Sequence, residues 1–274
     1  MERTLTCGQT FCWHRTEGEL YGEGGDEFYS FRSGKPLIVR QENGVIIAET
    51  ELARKEVEKA LGVDHSLDEV FDSFPEDEKL ELARNSFNGL RVLQDEFFPC
   101  TISYIMSSQM RIPRIKKMFD EIAVNHGEIH EADGEELLRF PTREELSGVT
   151  EEEPRDIGLG YRAPYIVKTL DIIEDIPEKQ ELELMDYREA KKELKKLQGV
   201  GDKVADCILL FSLNFHEATP LDTWAKKAVK EHYPEIHSKK YEEASNNLRE
   251  KFGDKAGYAT EYLFHAARQG VLET

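Results

Sequence analysis

Polar and apolar residues alternate along the first fifty positions, in short runs at 10–15, 19–22, 27–31, 36–40 and 45–49. Thr-Glu-Gly, Gly-Gly-Asp, Ser-Gly-Lys and Glu-Asn-Gly separate these runs and supply turn chemistry, so the stretch predicts an antiparallel β-meander. After Glu51 the period lengthens to that of a helix. Valine, leucine and phenylalanine recur at helical spacing over 53–61, 67–74 and 76–84. Further helices are predicted at 90–97, 101–107, 112–125, 135–140, 143–147, 163–174, 187–197, 203–213, 223–232, 239–252 and 255–269, and no strand is predicted among them.

The pattern predicts an α+β fold: a small N-terminal antiparallel β-sheet domain with trailing helices over residues 1–85, then a two-lobed all-α body over 86–274. A helix-hairpin-helix is expected at 187–213. With 39% hydrophobic and 33% charged residues in 274, the composition is that of a folded globular chain. No apolar run is long enough to cross a bilayer, and the opening Met1-Glu2-Arg3-Thr4 carries no signal-peptide core, so the expected compartment is the cytoplasm. Cys7, Cys12, Cys100 and Cys207 are scattered, without the spacing of a zinc or iron–sulfur set. Free thiols, no metal site and no cofactor are expected.

The formal charge of −19 argues against a polyanionic partner until it is resolved along the chain. Residues 100–119 hold four basic side chains and no acids, and residues 191–230 hold eight against five, giving +4 and +3. Residues 128–156 carry eleven acids against three arginines, or −8. The charge is segregated, which suits one face turned to nucleic acid and a solvated remainder.

The second basic window contains Leu197-Gln198-Gly199-Val200-Gly201-Asp202-Lys203, two glycines in a turn between an amphipathic helix and an apolar one. Such a turn, with the helix start behind it, forms an anion cradle suited to a phosphate, although an ordinary helix connection would look the same. Lys203 falls in the first turn of the second helix, where the helix dipole disfavours an ammonium and favours the nucleophilic amine. Nineteen residues on, Pro220-Leu221-Asp222-Thr223-Trp224 places a carboxylate at a helix start. Asp222 can serve there as an N-cap, as a partner in acid–base and electrostatic chemistry, or as both.

With the Gly-Val-Gly hairpin, the lysine and the Pro-x-Asp in place, the chain resembles the helix-hairpin-helix DNA glycosylases. Within them it looks most like 8-oxoguanine DNA glycosylases of the eukaryotic and archaeal type. The resemblance implies that Gly8, in Gly8-Gln9-Thr10-Phe11-Cys12-Trp13, offers its carbonyl to the N7 proton that marks 8-oxoguanine. It implies a base pocket closed by Cys207, Phe264 and Thr260, the last standing where the family commonly has a glutamine. Gln109, where the family has an asparagine run, is expected to fill the gap in the stack with Tyr161, while Arg114 and Arg162 meet the estranged base. Gly199, Gly201 and Trp224 are expected along the DNA backbone, Trp224 in place of a histidine.

The function implied is bifunctional: Lys203 displaces a damaged base from duplex DNA as a Schiff base, with Asp222 assisting, and β-elimination follows. The partner is duplex DNA at the nucleoid, with no membrane and a monomeric enzyme. Two alternatives stay open at this point, an alkylated-base glycosylase without lyase activity and a non-catalytic DNA-binding module.

Overall fold

The computed structural model describes residues 1–132 and 134–274. A short helix α1 (Glu2–Thr6) leads into an antiparallel sheet of β1 (His14–Arg15), β2 (Glu27–Arg32), β3 (Lys35–Glu42) and β4 (Val45–Thr50), hydrogen-bonded in that order. The register pairs Phe28 with Val39 and Leu37 with Thr50. Alternation then decides which face is buried. Phe28, Leu37 and Val39 pack with Leu5, Trp13, Leu61 and Leu93 on one side, while Tyr29 and Ile38 meet Leu137 on the other.

Three helices follow, α2 (Arg54–Ala60), α3 (Leu67–Asp72) and α4 (Glu78–Ser86). The next group is α5 (Phe97–Met106), α6 (Ile112–His126), a hairpin of β5 (Glu128–Ala132) and β6 (Glu135–Arg139), α7 (Glu152–Asp156), α8 (Ala163–Ile172) and α9 (Lys179–Glu183). The chain ends with α10 (Tyr187–Leu194), α11 (Asp202–Ser212), α12 (Thr223–His232), α13 (Tyr241–Phe252) and α14 (Ala256–Arg268). Almost every residue of α11 is buried, so it is enclosed on all sides within the helical body. The main core runs from Phe11 and Cys12 through α5 and α11 to α14, so the N-terminal segment and the body share it.

Five expectations change. Residues 135–139 of the predicted helix 135–140 form a strand, β6, because Leu137 buries beneath the first sheet and the Leu138 amide donates to Tyr29 at 3.2 Å. Residues 90–96 are irregular, and α5 begins only at Phe97. Residues 143–147 make isolated turns, and 19–22 is a turn closed by Gly22 N–H donating to the Glu19 carbonyl at 3.1 Å. The opening run contributes a helix, α1, and only the two-residue strand β1 from 10–15.

Candidate active site

Asp186 caps α10 by accepting from the Arg188 and Glu189 amides at 2.8 and 2.9 Å, and the chain turns through 195–201 into α11. Gly199 has φ +86°, and a Cβ there would fall 2.8 Å from Tyr165 Cδ2, so the turn needs glycine at this position for two reasons. Gly201, the N-cap of α11 at φ −89°, has open space where a Cβ would lie. Of the hairpin's two glycines, only the first depends on the left-handed region.

Lys203 lies in the first turn of α11, its Nζ 5.1 Å from the centre of the Tyr104 ring. Cys207 and Phe211 follow at successive turns of the same face. Asp222 is the N-cap of α12 and accepts from the Ala225 amide at 2.8 Å, so its capping role is real. It also faces the space in front of Lys203. Burial raises its carboxyl above the usual range, with the Ala225 amide and then Lys203 acting in the opposite sense.

These groups line one cavity of about 670 Å³, together with Gly8, Gln109, Thr260, Glu261 and Phe264. Gly8 sits at φ +110°, and a Cβ would fall 2.5 Å from Ile112 Cδ1, so only glycine leaves the wall intact. Arg268 donates to the neighbouring Cys7 carbonyl and fixes the segment on which Gly8 is carried. Thr260 is 2% exposed and its hydroxyl donates back to the Ala256 carbonyl at 2.8 Å. Gln109 lies beyond the end of α5 at φ +54°, which turns an exposed amide side chain to the rim.

The remaining expected contacts sit outside this cavity. Tyr161 is 49% exposed on the turn before α8, with the Arg162 guanidinium 4.2 Å from its ring centre. Arg162 is 5% exposed, and its Nε donates to the Ser108 carbonyl at 2.9 Å, joined by Nη2. These bonds tie Arg162 to the turn that carries Gln109. Arg114 donates to the Ile157 carbonyl at 2.8 Å beside Gly158. Trp224 is half-buried at the start of α12, with Lys227 Nζ 4.6 Å from its ring.

Two cavity residues have no signal of their own in the sequence. Tyr104 belongs to the segment before Gln109, and its hydroxyl donates to the Gln9 carbonyl at 2.6 Å while its ring meets Lys203. Glu261 is buried in the same wall and is pushed up to about 7 by burial, with its Cys7 contact opposing that shift. All four cysteines are free and buried, and burial raises every thiol, Cys207 to about 12 against the pull of Lys203. Among the described residues no His, Cys, Asp or Glu side chains are grouped to share a metal ion.

Behind the cavity, Asp206 at 0% exposure accepts from Tyr187 Oη at 2.6 Å, from Tyr241 Oη at 2.7 Å and from Lys191 Nζ at 3.1 Å. Tyr241 Oη in turn accepts from the Leu221 amide at 3.2 Å. One buried carboxylate thus connects α10, α11, α13 and the loop that carries Asp222. Both basic windows supply cavity walls, including Arg111, Lys203 and Lys226, whereas no described residue of the acidic stretch 128–156 does.

Residues 1–100 match the N-terminal domain of 8-oxoguanine DNA glycosylase, and residues 102–253 match the HhH-GPD superfamily of base excision DNA repair proteins. The chain belongs to the HhH-GPD superfamily. Among similar proteins, a probable N-glycosylase/DNA lyase of Methanothermobacter thermautotrophicus is 31% identical, over 87% of this chain and 84% of its own length. An N-glycosylase/DNA lyase of Arabidopsis thaliana is 33% identical, over 96% of this chain and 76% of its own. The 8-oxoguanine glycosylase/lyase of Clostridium acetobutylicum, solved with double-stranded DNA containing cytosine opposite 8-oxoguanine, superposes with a TM-score of 0.83 at 30% identity. That superposition covers 97% of this chain and 90% of the other. No helix of the described residues is long and apolar enough to cross a membrane.

Proposed function

We propose that the protein is a bifunctional DNA glycosylase/lyase that draws 8-oxoguanine out of duplex DNA, releases the base and then cuts the strand. The observation that carries this reading is the convergence of Lys203, Asp222, Cys207, Phe264 and Gly8 on one cavity of about 670 Å³, within the size range of small-molecule sites. Base extrusion costs a few kcal/mol, and Gln109 and Tyr161 offset part of it by occupying the vacated stack. The base then lies between Cys207 and Phe264, over Thr260, with its N7–H on the Gly8 carbonyl. Arg114 turns from Ile157 to the estranged base, and the 199–201 turn and Trp224 border the phosphates.

Lys203 Nζ attacks C1′ with its lone pair, and the glycosidic bond breaks with its electron pair leaving on the base, which takes up a proton. Asp222 stabilises the positive charge that develops on the sugar and relays the amine proton. Opening of the sugar gives the C1′ Schiff base, and loss of a 2′ proton expels the 3′ phosphate oxygen. On this reading the protein is a monomer acting at the nucleoid in the cytoplasm. Its division at residues 85 and 86 separates the sheet-bearing part from the helical part.

Borohydride added during turnover on an 8-oxoguanine duplex is expected to trap a covalent protein–DNA adduct, and Lys203→Gln is expected to abolish it. An adduct that persists in the variant, or none with the wild type, refutes the mechanism. Release of 3-methyladenine without any adduct would instead indicate an alkylated-base enzyme.

A further inference from the structure

Glu261 is a buried carboxylate in the cavity wall that the mechanism above leaves unused. It is 5% exposed and shares its helical face with Phe264, one turn along α14. Among the described residues its one hydrogen bond is with the Cys7 thiol, Sγ to Oε1 at 3.3 Å. That thiol has a single proton and lies equally close, at 3.3 Å, to the Thr4 carbonyl. An ionised carboxylate has about four acceptor sites. The described residues therefore supply Glu261 with at most one weak donor, and the group remains an acceptor in the wall of the cavity. Thr260, the neighbouring polar residue, has already placed its proton on Ala256.

We propose that Glu261 is a specificity-determining residue whose second carboxylate oxygen accepts an N–H from the extruded purine, selecting guanine-derived over adenine-derived lesions. Guanine-derived bases carry donors at N1 and at the 2-amino group. Adenine-derived bases carry a bare N1 and no 2-amino group, their edge donor being the 6-amino group on the other side of N1, so a carboxylate placed at N1 and C2 would face a lone pair. The inference rests on the base-excision reading and refines it. The titratable and charged groups around the carboxylate are Cys7 from the N-terminal segment, Lys203 and Cys207 from α11, Asp222 before α12, Tyr104 from α5 and Arg268 on α14. Of the described amide side chains in the cavity wall, Gln9 is bonded to the Thr4 and Arg91 carbonyls and the Leu93 amide, and Gln109 lies exposed at the rim.

The test is single-turnover release of 8-oxoguanine, 8-oxohypoxanthine and 8-oxoadenine, each opposite cytosine, by wild type, Glu261→Ala and Glu261→Gln. All three bases share the 8-oxo group and N7–H, so contacts there cancel from the ratios. A hydrogen bond to a charged acceptor predicts that wild type favours 8-oxoguanine over 8-oxoadenine by roughly tenfold or more. The alanine variant is expected to lose that preference and the glutamine variant to keep part of it, with the 8-oxohypoxanthine rate showing whether N1–H or the amino group is read. Binding to a duplex with a tetrahydrofuran abasic analogue confirms that each variant is folded. Unchanged ratios, or an equal fall on all three bases, overturn the proposal. A wild type that releases none of them overturns the base-excision reading itself.

Discussion

Replacing Tyr241 with phenylalanine removes one oxygen atom and leaves the ring. That oxygen donates to Asp206 at 2.7 Å and accepts from the Leu221 amide at 3.2 Å, while Lys191 sits 5.2 Å from the ring. Losing a hydrogen bond to a charged acceptor costs about 1.5–3 kcal/mol, and an unpaired buried amide costs about 1–3 kcal/mol. Allowing for partial rearrangement, the variant should be destabilised by about 2–4 kcal/mol, a large part of a typical domain's 5–15 kcal/mol. Asp206 keeps Tyr187 and Lys191, so the protein still folds. The loop 219–222 loses one of its anchors, Thr219 still meeting Ser245 at 2.6 Å, and Asp222 is expected to shift from its place opposite Lys203. Misplacement of this kind costs on the order of tenfold to a hundredfold in rate. Urea unfolding measures the first effect and single-turnover release of 8-oxoguanine the second. Destabilisation below about 0.5 kcal/mol together with an unchanged release rate would refute the claim that this carboxylate network positions the loop.

The two hairpin glycines should respond differently in thermal unfolding. Gly199→Ala forces a Cβ to within 2.8 Å of Tyr165 at φ +86° and should cost about 2 kcal/mol or more, whereas Gly201→Ala, with open space at an N-cap, should cost about 0.5–1. Glu261 makes stability depend on pH. Its folded value of about 7 exceeds its ordinary 4.5, so its favourable contribution is full below pH 4.5 and is lost as pH rises through 7, by roughly 3 kcal/mol at pH 8. Glu261→Gln should remove that slope in urea titrations between pH 5 and 8, and an unchanged slope would exclude this carboxyl as its source. The Lys203→Gln trapping experiment tests the chemistry in the same preparations.

Much of the fold could be read from local pattern. The spacing over 223–232 matches α12 end to end, and the turns between 31 and 45 bound β2, β3 and β4. The failures are places where distant partners decide. In the segment 90–96, the Gln94 amide donates to the Ala60 carbonyl, the Asp95 amide to Phe211 and the Leu93 amide to the Gln9 side chain, so this backbone satisfies itself without a helix. Glu135-Glu136-Leu137-Leu138-Arg139 has helix-forming composition, yet Leu137 is held under the sheet. The chain does carry Asp133-Gly134 just before it, a dipeptide favoured in tight hairpins. In the site, the Lys203 and Cys207 face follows from helical spacing. Glu261 is one of 55 acidic residues, and only the packing of α14 against the N-terminal segment distinguishes it from the rest.

The buried thiols have a consequence for durability. Oxidants react with thiolates that they can reach, and each of the four sulfurs here is enclosed and held in its protonated form. Cys207 is the one that lines the cavity proposed above to receive the oxidised base, and its thiol is raised to about 12. The packing that shapes this cavity thus also encloses the sulfur in its wall and disfavours the thiolate that oxidants attack.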